Sequence, residues 1–297
     1  MTQVVAAGNW TYAIVAADRR FTYEGKLLSE DDDERNKLIL VATPTARLAV
    51  AFCGLATLGS FQTEPWLAHR LHEALNKGGS TPDLEWLCDR ANADFSALPP
   101  DAIQRRVDSR CVWITLAGFV SEREGVMPVF AFVNNAHSAD GGIRAGKFRT
   151  DVFGPARLAE RATQRAFALS MGAAHVAQSR VDELKRIVAE DGAPAAAIGA
   201  ALRTIRAARE ARGDLVGPRC GAVVVWSERD RQPEGHYFGR AAPTHFMPTL
   251  VTRRGVELNV TVDRKARPVA RNAVCSCGSG RTYRRCHGAS TSAVRGR

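Results

Sequence analysis

Along this chain the spacing of apolar residues changes period four times, and that order of periods restricts the fold more than any single residue does. Residues 3–7 and 10–17 are short apolar runs separated by Gly8-Asn9, a turn signal, and together they predict a hairpin. Further strands are predicted over 20–25, 37–42 and 47–53, with a highly charged loop over 29–36 containing Asp31-Asp32-Asp33. Then Trp66, Leu67, Leu71 and Leu75 recur at helical spacing over 65–75. Thr81-Pro82-Asp83 starts a second helix, followed by Leu84, Leu87 and Ala91. Strand patterns return over 111–119 and 127–134. Helical patterns follow over 171–190 and 193–212, and strands over 220–226, 236–239 and 256–262. Segregated runs of strands and helices predict a layered α+β fold, not alternating parallel βαβ units. There is no internal repeat.

With 297 residues and 45% hydrophobic content, the chain can build one large core or two small ones. No apolar run reaches the roughly 20 residues of a membrane-spanning helix. Residues 1–5 have no basic region followed by an apolar one, so the reading predicts no signal peptide and a cytoplasmic location. The charge is uneven. From residue 253 onward, eleven Lys or Arg face only Glu257 and Asp263, a net +9 of the chain's +10. The preceding body is therefore nearly neutral. A basic tail suits an acidic partner (nucleic acid, anionic lipid or an acidic protein surface) or serves solubility.

Of the seven cysteines, those at 53, 88, 111 and 220 are scattered, and lone cysteines of this kind are usually small core residues. The other three cluster in Cys275-Ser276-Cys277-Gly278-Ser279-Gly280-Arg281-Thr282-Tyr283-Arg284-Arg285-Cys286-His287. An odd count with one tight cluster points to reduced thiols and a metal. Structural zinc takes four thiolate or imidazole ligands in a closed tetrahedron, and Cys275, Cys277, Cys286 and His287 supply them. So short a segment has no core of its own, so Zn2+ binding would supply its folding free energy. The chain is thus expected to divide into a body over 1–262, a linker over 263–270 and a zinc module over 271–290.

The Cys-x-Cys-Gly-Ser-Gly core and the Cys286-His287 pair resemble the SEC-C motif. That motif is known from the C-terminus of the bacterial preprotein-translocase motor and from the ends of many unrelated proteins. Ser276 stands where the motif usually has proline, and Ala273-Val274 replace its usual Asp-Pro; none of these is a ligand. The resemblance implies a docking tail for protein or lipid, which does not define an enzyme.

A second resemblance lies in the body. Thr2-Gln3-Val4-Val5-Ala6, Ala13-Ile14-Val15-Ala16-Ala17-Asp18-Arg19-Arg20, Lys37-Leu38 and Leu48-Ala49-Val50-Ala51-Phe52-Cys53-Gly54-Leu55-Ala56 carry it. Together they resemble the opening of a proteasome β-type subunit, an N-terminal nucleophile hydrolase. The resemblance implies a four-layer αββα sandwich, with two antiparallel sheets between helix layers. It also implies a threonine nucleophile whose own α-amine acts as base. Carried over by position, Thr2 would be that nucleophile once Met1 is removed, which a small second residue permits. Lys37 would lower its proton affinity, Asp18 would hold Lys37 and the terminus, and Gly54 would donate its N–H to the oxyanion. Lys26 is a rival to Lys37, because extra acidic-loop residues precede the latter. Met171-Gly172-Ala173-Ala174 stands where the family has Gly-Ser-Gly. Asp214 fits the family's aspartate before a late apolar strand, with Gly217 in the place of its partner serine.

Three functions compete at this stage. One is a cytoplasmic hydrolase of peptide or amide bonds with a zinc docking tail, assembling as a homo-oligomer. Another is a non-catalytic scaffold of the same fold that docks protein or anionic partners through its basic tail. The last is a nucleic-acid binder, for which only Tyr283 interrupts the tail's basic residues as a stacking aromatic.

Overall fold

The computed structural model describes residues 3–19, 22–23, 26–27, 36–58, 60–79, 81–98, 110–123, 125–139, 142–153, 166–172, 176, 178–212, 216–217, 219–238, 248–258 and 282. Its elements run in chain order as β1 (Gln3–Gly8), β2 (Tyr12–Asp18), β3 (Thr22–Tyr23), β4 (Lys26–Leu27), β5 (Leu38–Ala42) and β6 (Ala46–Gly54). Next come β7 (Thr57–Leu58), β8 (Phe61–Gln62), α1 (Thr63–Gly78) and α2 (Leu84–Ser96). Then follow β9 (Val112–Glu122), β10 (Gly125–Ala139), β11 (Gly142–Phe153) and β12 (Phe167–Gly172). The last are α3 (Gln178–Ala189), α4 (Pro194–Arg212), β13 (Cys220–Trp226), β14 (Glu234–Phe238), β15 (Thr249–Thr252) and β16 (Gly255–Glu257).

Two sheets hold most of these strands. One is five-stranded in the order β12-β1-β2-β13-β14, with every neighbour antiparallel. The other is seven-stranded in the order β11-β10-β9-β6-β5-β15-β16, and its β15–β5 pair is parallel.

Three apolar clusters show how the elements stack. Val4, Ala6, Ala13, Val15, Ala17 and Val223 of the first sheet meet Leu38, Ala49, Ala51, Ala117 and Phe119 of the second. Small side chains here let the sheets approach face to face. The opposite face of the five-stranded sheet, with Val5, Ile14, Ala222 and Val224, packs on Leu184 and Val188 of α3 and on Ile198, Leu202 and Ile205 of α4. The opposite face of the seven-stranded sheet, with Ile39, Val50, Phe52 and Ile114, packs on α1 and α2.

This stacking explains the sequence pattern. Strands β1, β2 and β13 are buried at every residue, because both their faces are covered. They therefore read as unbroken apolar runs without alternation. In α1, Leu67, Leu71 and Leu75 lie four apart on one stripe and are fully buried. Each such leucine contributes about 1.5–3 kcal/mol. The Asp83 carboxylate accepts a 2.9 Å bond from the Trp86 N–H and caps α2, where the sequence reading starts a helix.

The expected helix over 171–190 is corrected. Met171 and Gly172 end strand β12, paired with Val4 and Gln3, and the helix begins at Gln178. The sheet's edge beside β1 captures the 167–172 run before helical periodicity can act on it. Of the expected strand over 256–262, residues 256 and 257 lie in β16, which pairs with β15 across a turn at Arg253 and Arg254, while 259–262 lie outside the described residues.

Candidate functional site

The site is built at one end of the two sheets, from β1, β2, β5 and β6. Asn9 sets the β1–β2 hairpin, because its Oδ1 accepts from both the Thr11 and Tyr12 N–H groups. The register that follows pairs Val4 with Ala17. The next residues along, Gln3 and Asp18, meet at the end of the ladder, where the Gln3 N–H donates to Asp18 Oδ1 at 2.6 Å. Asp18 Oδ2 accepts the Gly217 N–H at 3.0 Å. On its other side stands Lys37, whose Nζ lies 3.5 Å from Oδ2, with both side chains at most 1% exposed.

An ion pair so deeply buried persists because Asp18 is also hydrogen-bonded by backbone donors. Burial pushes the Lys37 ammonium below its usual range, and the attraction of Asp18 opposes that shift. The two nearby thiols do not compete as anions. Burial pushes Cys53 up to about 12 and raises Cys220 further.

Lys37 is held from the helix side. Asn36, the residue before it, accepts the Leu38 N–H on Oδ1 at 3.0 Å, an Asx turn spanning Lys37. The Asn36 N–H donates to Glu64 Oε2 in the first turn of α1, and the Thr249 hydroxyl donates to Glu64 Oε1 at 2.5 Å. Neither Asn36 nor Glu64 is singled out by the sequence reading. No local motif marks a residue whose partners lie 28 and 185 positions away.

Gly54 closes β6 at φ +101°, a conformation that favours glycine. A Cβ there would collide with the Cys111 carbonyl oxygen, which also accepts the Leu55 N–H at 2.9 Å. The backbone thus turns sharply where β6 leaves the sheet.

Of the residues the sequence singles out, Asp18 and Lys37 are brought into contact, and Gly54 takes the positive φ that glycine allows. Thr2 lies outside the described residues, as do Asp214, the Lys26 side chain and the four zinc ligands Cys275, Cys277, Cys286 and His287. Met171, read as standing near the family's supporting serine, lies on β12, where its sulfur accepts the Thr115 hydroxyl at 3.6 Å. Among the described residues no group of three or more His, Cys, Asp or Glu is placed to hold a metal. No helix among them is long and apolar enough to cross a membrane.

Comparison with known proteins adds two findings. The SEC-C motif matches residues 271–289. That range contains all four expected zinc ligands, and three thiolates with one imidazole are a donor set that zinc takes. Among solved structures, Anbu (ancestral beta-subunit) from Yersinia bercovieri is similar over 78% of this chain and 86% of its own, at 14% identity and a TM-score of 0.48. No curated protein matches the chain.

Proposed function

We propose that this protein is an N-terminal threonine hydrolase of amide bonds, a four-layer αββα body carrying a zinc docking tail. The observation that supports this reading is the buried Asp18–Lys37 pair, with Asp18 also bonded to the backbone N–H of Gln3, the residue next to Thr2. That bond ties the start of β1 to the charged pair.

In this reading Met1 is removed and the free Thr2 amine, which titrates near neutrality, takes the hydroxyl proton. Oγ1 attacks the carbonyl carbon and the Gly54 N–H receives the developing oxyanion. The Lys37 ammonium, held by Asp18, favours the deprotonated hydroxyl. The intermediate collapses as the ammonium at Thr2 returns its proton to the leaving amine, and water then cleaves the ester on Thr2. The substrate is a peptide or another amide.

The decisive experiment combines the intact mass of protein from its native source with an electrophile directed at N-terminal threonine. Loss of one methionine, labelling of wild type and no labelling of Thr2→Ala are expected. A retained Met1 sinks the enzymatic reading. It would leave the alternative, a non-catalytic scaffold, which Met171-Gly172-Ala173-Ala174 favours because it stands where the family has Gly-Ser-Gly.

The tail is proposed to bind one Zn2+ through Cys275, Cys277, Cys286 and His287 and to dock a protein or anionic partner through its positive charge. Cys277→Ser should lower zinc content sharply while the body stays folded, read by metal analysis and circular dichroism. Equal zinc in variant and wild type would rule out this ligand set. The body is further proposed to be cytoplasmic and to assemble as a homo-oligomer.

A further inference from the structure

We infer that Asn135 is the positioning residue of the Gly54 turn, acting through the three residues 110–112 against which that turn is built. Its catalytic consequence rests on the hydrolase reading above; its structural part does not.

Strands β9 and β10 pair regularly until Asn134 meets Trp113, and there the ladder stops. On the other side of β10 the register with β11 shifts: Asn134 faces Arg149 and Ala136 faces Ala145, so the extra residues of this bulge belong to β11 and Asn135 is the single β10 residue opposite them. With both ladders interrupted at Asn135, its carboxamide takes up the line that the β9–β10 ladder has left. Asn135 Oδ1 accepts the Val112 N–H at 2.7 Å, and Nδ2 donates to the Arg110 carbonyl at 3.1 Å. The side chain thus acts as one more peptide unit of β10, with acceptor and donor both used. It is 2% exposed, so water cannot replace either bond.

The bracketed segment is what Gly54 rests on. Val112 is the ladder partner of Gly54. The Cys111 carbonyl, between the two bracketed residues, accepts the Leu55 N–H and fills the space a Cβ on Gly54 would need. Moving residues 110–112 therefore moves both the turn's hydrogen bond and its steric floor. Only an amide side chain supplies both bonds: aspartate keeps the acceptor and sets a carboxylate against the Arg110 carbonyl, while alanine removes both.

The test compares wild type with Asn135→Ala and Asn135→Asp in the full chain, by amide hydrogen exchange and steady-state hydrolysis. Exchange of the Leu55 amide should accelerate by about tenfold or more relative to that of Val224 in the other sheet, with Asn135→Asp intermediate. With an amide substrate, kcat should fall by roughly tenfold to a hundredfold while KM stays within about twofold, as misplacement of an oxyanion donor does. Leu55 exchange unchanged relative to Val224 in both variants overturns the inference, whatever happens to activity. Accelerated Leu55 exchange in protein whose wild type hydrolyses nothing upholds Asn135 as positioning residue and sinks the hydrolase reading alone. If Asn135→Ala does not fold, Asn135→Asp carries the same two outcomes.

Discussion

The two sheets bring their halves of the site into place by different means. The five-stranded sheet holds Asp18 with backbone donors, the N–H groups of Gln3 and Gly217. The seven-stranded sheet holds its half with side chains: Asn36, Glu64 and Thr249 around Lys37, and Asn135 beneath Gly54. Backbone donors come with strand register and survive most substitutions. Side-chain brackets are lost with one residue. The seven-stranded half is therefore the mutationally fragile one.

The largest break should come from the ion pair itself. Lys37→Ala leaves Asp18 charged and uncompensated at 0% exposure and should cost about 3–5 kcal/mol, read from the midpoint of denaturant unfolding. The double variant Asp18→Asn with Lys37→Met should recover a large part of that loss. A single variant as stable as wild type would show that the pair does not matter to the fold.

Gly54→Ala should come next. The positive φ and the collision with the Cys111 carbonyl together should cost about 2–4 kcal/mol, well above the effect of a compatible glycine replacement. Gly79→Ala is the control, since its positive φ carries no steric contact, and it should cost less. Equal losses would show that the turn has no special steric floor.

Asn36→Ala sharpens the contrast between sheets. It strips the Leu38 N–H of its partner and should cost about 1–3 kcal/mol. The smallest effect should be at Glu234, on the half-exposed edge strand β14. Its ion pair with His236, Nε2 to Oε2 at 3.4 Å, holds the carboxyl below its usual range. The stability this supplies is complete above pH 4.5 and is lost as pH falls below it. Solvent screening limits it to roughly 0.5 kcal/mol, seen as a smaller acid loss of stability in Glu234→Gln than in wild type.

Legibility in the sequence followed burial. Strands β1, β2, β6 and β13 are read nearly to their ends because both faces are covered and their composition is mostly apolar. Strand β11 is missed: it is an edge strand of Gly142, Arg144, Gly146, Lys147 and Arg149, with few apolar residues to betray a period. Lys37 is read as a charged partner yet not as a core residue, since nothing in Asn36-Lys37-Leu38 tells that both polar side chains are fully buried.

Local sequence sets the alternation of strand blocks with helix blocks, the turns at Asn9 and Gly54, the cysteine-histidine tail and the separation of its charge from the body. These are local properties, set by side-chain period, backbone freedom and ligand spacing. Tertiary structure decided what meets: Asp18 with Gly217 across 199 positions, Glu64 with Thr249 across 185, and the Asn135 carboxamide with residues 110–112. Such contacts depend on sheet order and register. Those are settled by packing two sheets face to face, and no short window of sequence records that packing.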